Sequence, residues 1–536
     1  MILIVKKFFN SSNISTSACI YTQKLPNSEE SLPLSKSIAD NLNILHSLFS
    51  NCTDIVCREF VIDAIKRSSA LVFINGLADV KLINENILTS IMNIKEIPSE
   101  DLALNHIIEI TKKHFFKIAN TSEISTIGEV VYALLNGNTI FLLDGDIKAL
   151  KMTTPGWKEK NVSETNVEKV LRGSNEGFTE NICTNISQLR RRIKSYQLKI
   201  EEFIVGRQTQ TKINITYLQG IVDDSIVKEV RKRIQKIDVD SILESGYIEE
   251  LIEDTSYTLF PQIQHSERPD RVAAGILEGR VAILIDDTPC ALILPATMIQ
   301  FLQASEDYYE RYPTALFIRL IRLIFFGISL LLPGCFVAII SYHKEMIPTP
   351  LLIGILGAAR GVPFPILIEA LIMEITFEAF REAGIRLPAP SNQTVGMVGA
   401  IVIGEAAVRA GIVSPITVII IAITAIASFS IPSYDMGYAI RILRFCMIFL
   451  GGFLGLYGIM LGVILILIHL SSLRSFGVNY LSPISPLNLK EFKDIIIRFP
   501  WWHMSHRPHY ASDSQRQKPY LKPEPPGKNK EDEKRQ

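Results

Sequence analysis

The sequence predicts two mixed α/β subdomains followed by an α-helical transmembrane domain of about four spans. Three observations predict it. Polarity is split along the chain: it is mixed up to about Tyr312, mostly apolar from Leu316 to Leu470, and polar again after Pro486. In the polar half, short apolar runs alternate with stretches of helical spacing, the pattern of α/β units. In the apolar half, the runs exceed the roughly 20 residues needed to cross about 30 Å of hydrocarbon. At 536 residues the chain is too long for one domain. The expected divisions are 1–150 and 151–305 for the two subdomains, 306–475 for the membrane part, and 476–536 for a cytoplasmic tail, disordered towards its end.

The elements follow in order. Residues 1 to about 50 are Ser/Asn-rich and read as partly loose. "CREFVIDAIKRSSALVFING" (57–76) reads as two strands around a turn, "DVKLINENILTSIM" (79–92) as a helix, and "NTIFLLDG" (138–145) as a buried strand ending in a turn. The second unit begins near Pro155. "EKVLRGSNEGFTENICTNISQLRRRIKS" (168–195) is a loop and a charged helix, and "LKIEEFIVGRQTQTKINITYLQG" (198–220) a strand pair. "DSIVKEVRKRIQKI" (224–237) has amphipathic helical spacing. "GRVAILIDDTPCALILP" (279–295) is a hairpin whose turn holds Asp286, Asp287, Thr288 and Pro289.

Four apolar regions follow, near 318–341, 349–380, 396–432 and 443–470. Arg319 and Arg322 at the start of the first favour that end inside. Lys490, Lys493 and Arg498 after the last place the tail inside too, so four crossings satisfy both ends. Arg441 and Arg444 fit this poorly, because they fall near the outer end of the fourth span. The third region, broken at "RAGIVSPI" (409–416), reads as kinked or re-entrant.

"ARGVPFPILIEALIMEITFEAFREAG" (359–384) is the unusual stretch. Pro363 and Pro365 remove backbone donors, and Gly361 loosens the chain. Broken backbone at membrane depth is tolerated where it packs in protein or lines water. Arg360, Val362, Pro363, Phe364, Pro365, Glu369, Glu374 and Glu378 are therefore candidates for a pore or gate. A charge at mid-bilayer costs at least about 2.5–3.5 kcal/mol. Two readings account for the glutamates: pairing inside a packed bundle, or hydration by a cation-favouring aqueous lumen. Glu405 and Arg409, spaced i, i+4, read as an ion pair along one helix face. The small residues of "MVGAIVIGEAAVRAGIVS" (397–414) suit close helix packing.

Other classes are disfavoured. Net charge is +0, so no global field recruits nucleic acid. The apolar run of "MILIVKKFF" ends at Lys6, too short for a signal-peptide core, so the polar half is expected to stay in the cytoplasm. The seven scattered cysteines form no CxxC and imply neither a disulfide frame nor a zinc site. No phosphate loop, dinucleotide fingerprint, HExxH or GxSxG is present, so neither an enzyme nor a cofactor is expected. His503, His506 and His509 are spaced like metal ligands, but Pro508 breaks the helix that would present them. "FPWWHM" reads as an interfacial aromatic anchor, and "LRRRIKS" (189–195) as a solvated helix face.

The stretches "RGSNEGFTENICTNISQLRRRI", "ILESGYIEELIED", "FPQIQHSERPDRVAAGILEGRVAILIDDTPCALILP", "EDYYERY", "HKEMIPTPLL", "GVPFPILIEALIMEITFEAFREAGIRLP", "VGAIVIGEAAVRAGIVSP" and "PWWHMSHRP" together resemble the A subunit of GerA-type spore germinant receptors. The resemblance covers about 155–510 strongly and the first subdomain more loosely. Ser174–Asn175 departs from the family's proline-containing loop. The resemblance implies an integral protein of the bacterial cell membrane and endospore inner membrane, with its N-terminal region on the cytoplasmic (core) side. It implies a permease-like B subunit and a C-subunit lipoprotein as partners, and a homo-oligomer of A subunits around an ion path opened by nutrient. A non-conducting scaffold or signal-coupling subunit is the alternative. A small-solute transporter with Arg360 and Glu369 at its site would need inverted repeats and more spans than the chain offers.

Overall fold

The computed structural model describes residues 32–62, 66–92, 121–156, 168, 170, 172–386, 404–488, 491, 494–495, 498–504 and 506–513. The chain divides into two compact units. One comprises Met1–Ser47, Val56–Ile74 and Ala78–Pro155; the other comprises Leu48–Ile55, Asn75–Leu77 and Gly156–Gln536.

The first unit holds α1 (Ile38–Leu48), β1 (Ile55–Ile62), β2 (Arg67–Ile74), helix α2, β3 (Thr121–Ile124), α3 (Ile127–Leu135), β4 (Thr139–Leu143) and β5 (Ala149–Met152). Its five-stranded sheet has the order β1-β2-β4-β5-β3. Helix α2 runs through Val80–Leu82, a π-helical turn Ile83–Leu88, and Thr89–Met92. Asp79 caps it by accepting from the Lys81 and Leu82 amides at 2.9 and 3.1 Å. Helix α1 lies in the stretch expected to be loose. Ile38, Leu42 and Leu45 recur at helical spacing and are buried, a stripe that Ser/Asn-rich composition masks.

The second unit continues with α4 (Ile182–Arg192), β6 (Leu198–Val205), β7 (Thr211–Leu218), α5 (Asp224–Gln235), α6 (Ser245–Ile252), β8 (Gln264–Ser266), α7 (Pro269–Leu277), β9 (Val281–Ile285) and β10 (Ala291–Leu294). These strands form a second sheet, β6-β7-β9-β10-β8, antiparallel throughout. Helices cover both faces. Ile213, Ile215, Ile283 and Leu292 pack with Val230, Ile234 and Ile248 on one side. Leu198, Ile200, Ala282 and Ile293 pack with Ile186, Leu189, Val272 and Ile276 on the other. That is why β9 and β10 are apolar at every position instead of alternating. The expected β9–β10 hairpin turns at Asp287, which takes the left-handed conformation (φ 65°) that aspartate tolerates.

After α8 (Met298–Phe301) and α9 (Glu306–Tyr309) come α10 (Tyr312–Tyr342), α11 (Thr349–Ala359), α12 (Ile366–Arg386), α13 (Pro415–Phe429) and α14 (Tyr434–Ser472). Among the described helices, two are long and apolar enough to cross a membrane: α10 with 31 residues and α14 with 39. The expected four spans are thus not all evident by this measure. Helix α12 is too charged and α13 too short. Helix α14 also differs from the single span expected over 443–470. Gly455 adopts φ 64° and ψ −150° inside it, a conformation open only to glycine. The chain folds back there: a Cβ at Gly462 would stand 2.7 Å from Met447 Sδ, and one at Gly458 2.7 Å from Leu454 Cβ. Helix α14 is therefore a tight hairpin of two arms joined by glycine contacts. Helix α10 packs as closely, since a Cβ at Gly334 would lie 2.7 Å from the Met447 carbonyl oxygen.

The segments that flank the second sheet share a core with the long helices. Phe260, Ala296, Phe301 and Tyr480 continue into Met436, Leu470 and Leu473. The described residues of 498–504 and 506–513, expected to be an interfacial anchor and tail, pack back on this body. The Tyr510 hydroxyl accepts from Arg280 Nε at 3.0 Å and Gln300 Nε2 at 3.2 Å. The Ser512 amide donates to the Ile221 carbonyl at 2.8 Å. Trp501 lies 5.9 Å from the Tyr308 ring, centroid to centroid, and Trp502 6.3 Å from that of Tyr312.

Candidate functional site

Helix α11 stops at Ala359 because two prolines follow. Pro363 and Pro365 offer no amide, and each pushes the residue before it out of the helical region. Helix α12 restarts when the Ile368 and Glu369 amides donate to the Pro365 carbonyl at 2.8 and 3.1 Å. In the break between them Arg360, Gly361, Pro363, Phe364 and Pro365 are exposed, and Val362 is half-buried. A second break faces it. Helical residues end at 409, Gly411 turns with φ 66°, and α13 begins at Pro415. A Cβ at Gly411 would lie 3.0 Å from the Gly361 carbonyl oxygen.

Glu369 ties the two breaks together. Its Oε2 accepts from the Ser414 amide at 2.8 Å and from Thr417 Oγ1 at 3.1 Å. The carboxylate thus sits at the N-terminus of α13, where free amides and the helix dipole favour negative charge. It is 2% exposed, so in the single chain it serves as a cap and does not face open water.

Deeper in the bundle the other glutamates meet arginines. Arg444 Nη1 donates to Glu374 Oε1, and Arg444 Nε to the Ser329 carbonyl at 2.7 Å. Glu374 and Arg444 are both fully buried. Arg441 Nη1 donates to Glu378 Oε1. Arg381 lies 3.8 Å from Glu378, donates to Ser428 Oγ at 2.7 Å, and sits over the Phe377 and Phe429 rings at 5.0 and 4.9 Å. The like-charged i, i+4 pair on α12 is therefore matched by arginines at i, i+3 on α14. The Glu405–Arg409 pair is made, at 2.5 Å, and both side chains are exposed.

At the opposite end of α10, Asp307 collects Arg319 Nε at 3.0 Å and Arg322 Nη1 at 2.8 Å. Arg319 also donates to Asp494 at 2.9 Å. Tyr308 donates to Asp494 at 2.8 Å, and its burial pushes its hydroxyl pKa well up. Between α7, α9 and the C-terminal segment lies a cavity of about 300 Å³, lined by Arg271, Arg280, Tyr308, Trp501 and Tyr510 among others. Among the described residues no group of three His, Cys, Asp or Glu is placed to hold a metal. The partners Asp307, Ser414, Thr417 and Ser329 escape sequence reading. Arg441 and Arg444 stood out in the sequence only as charges that fit the fourth span poorly; their i, i+3 spacing is the signal that matches Glu374 and Glu378.

Residues 43–510 match the model of the Bacillus/Clostridium GerA spore germination protein family. The chain is similar to the uncharacterized membrane protein YfkQ of Bacillus subtilis, with 44% identity over 89% of this chain and 91% of that protein. It is similar to spore germination protein KA of the same organism, with 42% identity over 93% and 91% of the two chains. Against GerLA of Bacillus cereus the identity is 38% over 85% and 92%. A crystal structure of the N-terminal domain of the A subunit of the Bacillus megaterium spore germinant receptor GerK3 is 36% identical. It covers 50% of this chain and 98% of that one, with a TM-score of 0.40. The chain belongs to the GerA spore germination protein family.

Proposed function

We propose that this chain is the membrane subunit of a nutrient-sensing germinant receptor and that copies of it assemble a gated ion channel whose opening triggers germination. The observation that carries this reading is the pair of facing helix breaks, 360–365 and 410–414, the first exposed except at half-buried Val362 and the second buried at Val413 and Ser414, at one end of a bundle whose interior glutamates meet arginines. Arg360, Val362, Pro363, Phe364 and Pro365 then form the constriction, and hydrophobic narrowings gate by dewetting. Glu369 fixes the second break against the first. A permease-like B subunit that holds the nutrient and a C-subunit lipoprotein complete the complex.

The reading places four crossings in α10, α12 and the two arms of α14, with α13 as part of a re-entrant segment. Helix α12, with 21 residues, is about 31 Å long at 1.5 Å per residue. Both ends face the cytoplasm, supported by the contacts of Arg319, Arg322 and Leu473 with the second subdomain's side of the bundle.

Single-channel recording of the reconstituted A–B–C complex tests the reading. Enlarging Val362 or Phe364 should change open probability or conductance when nutrient is added. A complex that binds nutrient and supports germination yet never conducts would leave the scaffold reading. One observation favours that alternative: Glu374 and Glu378, candidates for a hydrated lumen, are engaged by Arg444 and Arg441.

A further inference from the structure

The first turn of α14 is fastened to the second subdomain through one titratable pair. His265 Nδ1 lies 2.9 Å from Asp435 Oδ2, and each side chain is about one-third exposed. His265 stands on β8, the edge strand of its sheet. Glu249, on the neighbouring α6, feels the charges of both, Asp435 raising its pKa and His265 lowering it. Arg271 is committed to Glu168 at 2.5 Å, and among the described residues His265 is the basic side chain that pairs with Asp435. Beside the imidazole a void of about 20 Å³, lined by Glu168, Gln264, Glu267, Arg271 and Ser433, has the room of a single water.

We propose that His265, Asp435 and Glu249 form a proton-operated joint, which locks the second subdomain to α14 while imidazole and Glu249 hold their protons and loosens it when they leave. With both protons bound, the site holds one cation, one anion and a neutral acid. With both lost, two carboxylates repel each other and the ring is neutral. The joint is a hinge and not a point of dissociation. The Thr258 hydroxyl still meets His469 Nε2 at 2.8 Å, and the Ala296 amide still donates to Ser475 Oγ at 3.0 Å.

The surroundings fix the direction. The hydrogen bond to Asp435 raises the His265 pKa, against burial and with help from the Asp435, Glu249 and Glu168 charges. Burial raises that of Glu249, and so do Asp435, Glu253 and Glu244, while His265 lowers it. Glu253 is pushed up to about 7 by burial, Glu250 and Asp435. A group whose pKa is higher when joined is favourable below its ordinary value and loses that contribution as pH rises through the raised one. All three act in the same sense: the contributions of Glu253 and Glu249 fade from the ordinary carboxyl range up to about 7 and about 8, and that of His265 from the ordinary imidazole range up to about 9, so the lock is fullest in acid, weakens across neutrality and is lost on the alkaline side. Asp435 lies six positions before Arg441 and nine before Arg444, about 9 and 14 Å along the helix. A shift at the joint therefore reaches the pairs that hold α12.

Hydrogen exchange of the full-length chain in lipid nanodiscs, from pH 6 to 9.5 and corrected for intrinsic rates, tests this without reference to conduction. Protection of 264–266 and 434–441 should fall by about tenfold over the range, one pKa unit of differential interaction. The His265→Gln variant should be loose at pH 6 and respond weakly to pH. Glu249→Gln keeps the shape and removes one titration, so it should stay locked to higher pH than the native chain. Flat protection in the native chain, or an unchanged profile in Glu249→Gln, would overturn the joint even if His265→Gln failed to fold.

Discussion

Replacing Glu374 by Gln decides whether the segment around it is wall or scaffold. Glu374 and Arg444 are both fully buried, and one guanidinium nitrogen bonds one carboxylate oxygen. The Ser329 carbonyl holds Arg444 Nε, so the arginine cannot swing away to water when its partner is neutralised. An uncompensated buried charge costs about 3–5 kcal/mol, against a total stability of roughly 5–15 kcal/mol. We expect Glu374→Gln to deplete the protein in the membrane, with activity per remaining copy unchanged. A matched double change, Glu374→Leu with Arg444→Met, should restore much of the level, because removing both charges removes the desolvation cost as well. The assay is quantitative immunoblotting of membranes beside germination rate per copy. If Glu374→Gln accumulates normally while conductance or germination per copy changes, the carboxylate faces water and the pairing argument fails.

Three further outcomes follow from the same geometry. Glu369→Ala removes the acceptor for Ser414 and Thr417 and should cost about 0.5–2 kcal/mol of cap energy, read as faster exchange of the first turn of α13. Gly455→Ala forces a Cβ into φ 64°, ψ −150° and within 3.1 Å of His343 Nε2, so the hairpin should not close and the protein should be degraded; normal levels would disprove the turn. Tyr510→Phe strands one donor each of Arg280 and Gln300, at about 1–3 kcal/mol for unmet buried groups, and should lower the melting temperature without altering membrane insertion.

Much of the N-terminal half was legible because its signals are local. The hairpin over 281–294 shows two apolar runs around a turn of Asp286 and Asp287, and helix α5 shows its amphipathic period. The proline breaks at 363 and 365 were equally plain, since proline acts on its own neighbours. Helix α1 was hidden by its polar composition. The fold-back at Gly455 lies in an unbroken apolar run, where one glycine among many carries no mark of its torsion. The membrane charges could be ranked as costly but not partnered: Glu369 finds a helix N-terminus 45 residues away, and Glu374 an arginine 70 residues away. The packing of 498–513 depends on Arg280, 230 positions before Tyr510, a distance no periodicity spans.

That long return has a consequence in time. Phe476 and Tyr510 belong to the same core as Ile215 and Ile283. A ribosome delivers the β-sheet first, then every membrane helix, and only afterwards the two side chains that close the sheet's apolar face. The second subdomain therefore waits, with part of its interior uncovered, until the helical bundle between its two halves has been made. Completion comes last, and a chain that stops short of Tyr510 leaves behind an uncovered sheet face for quality control to detect.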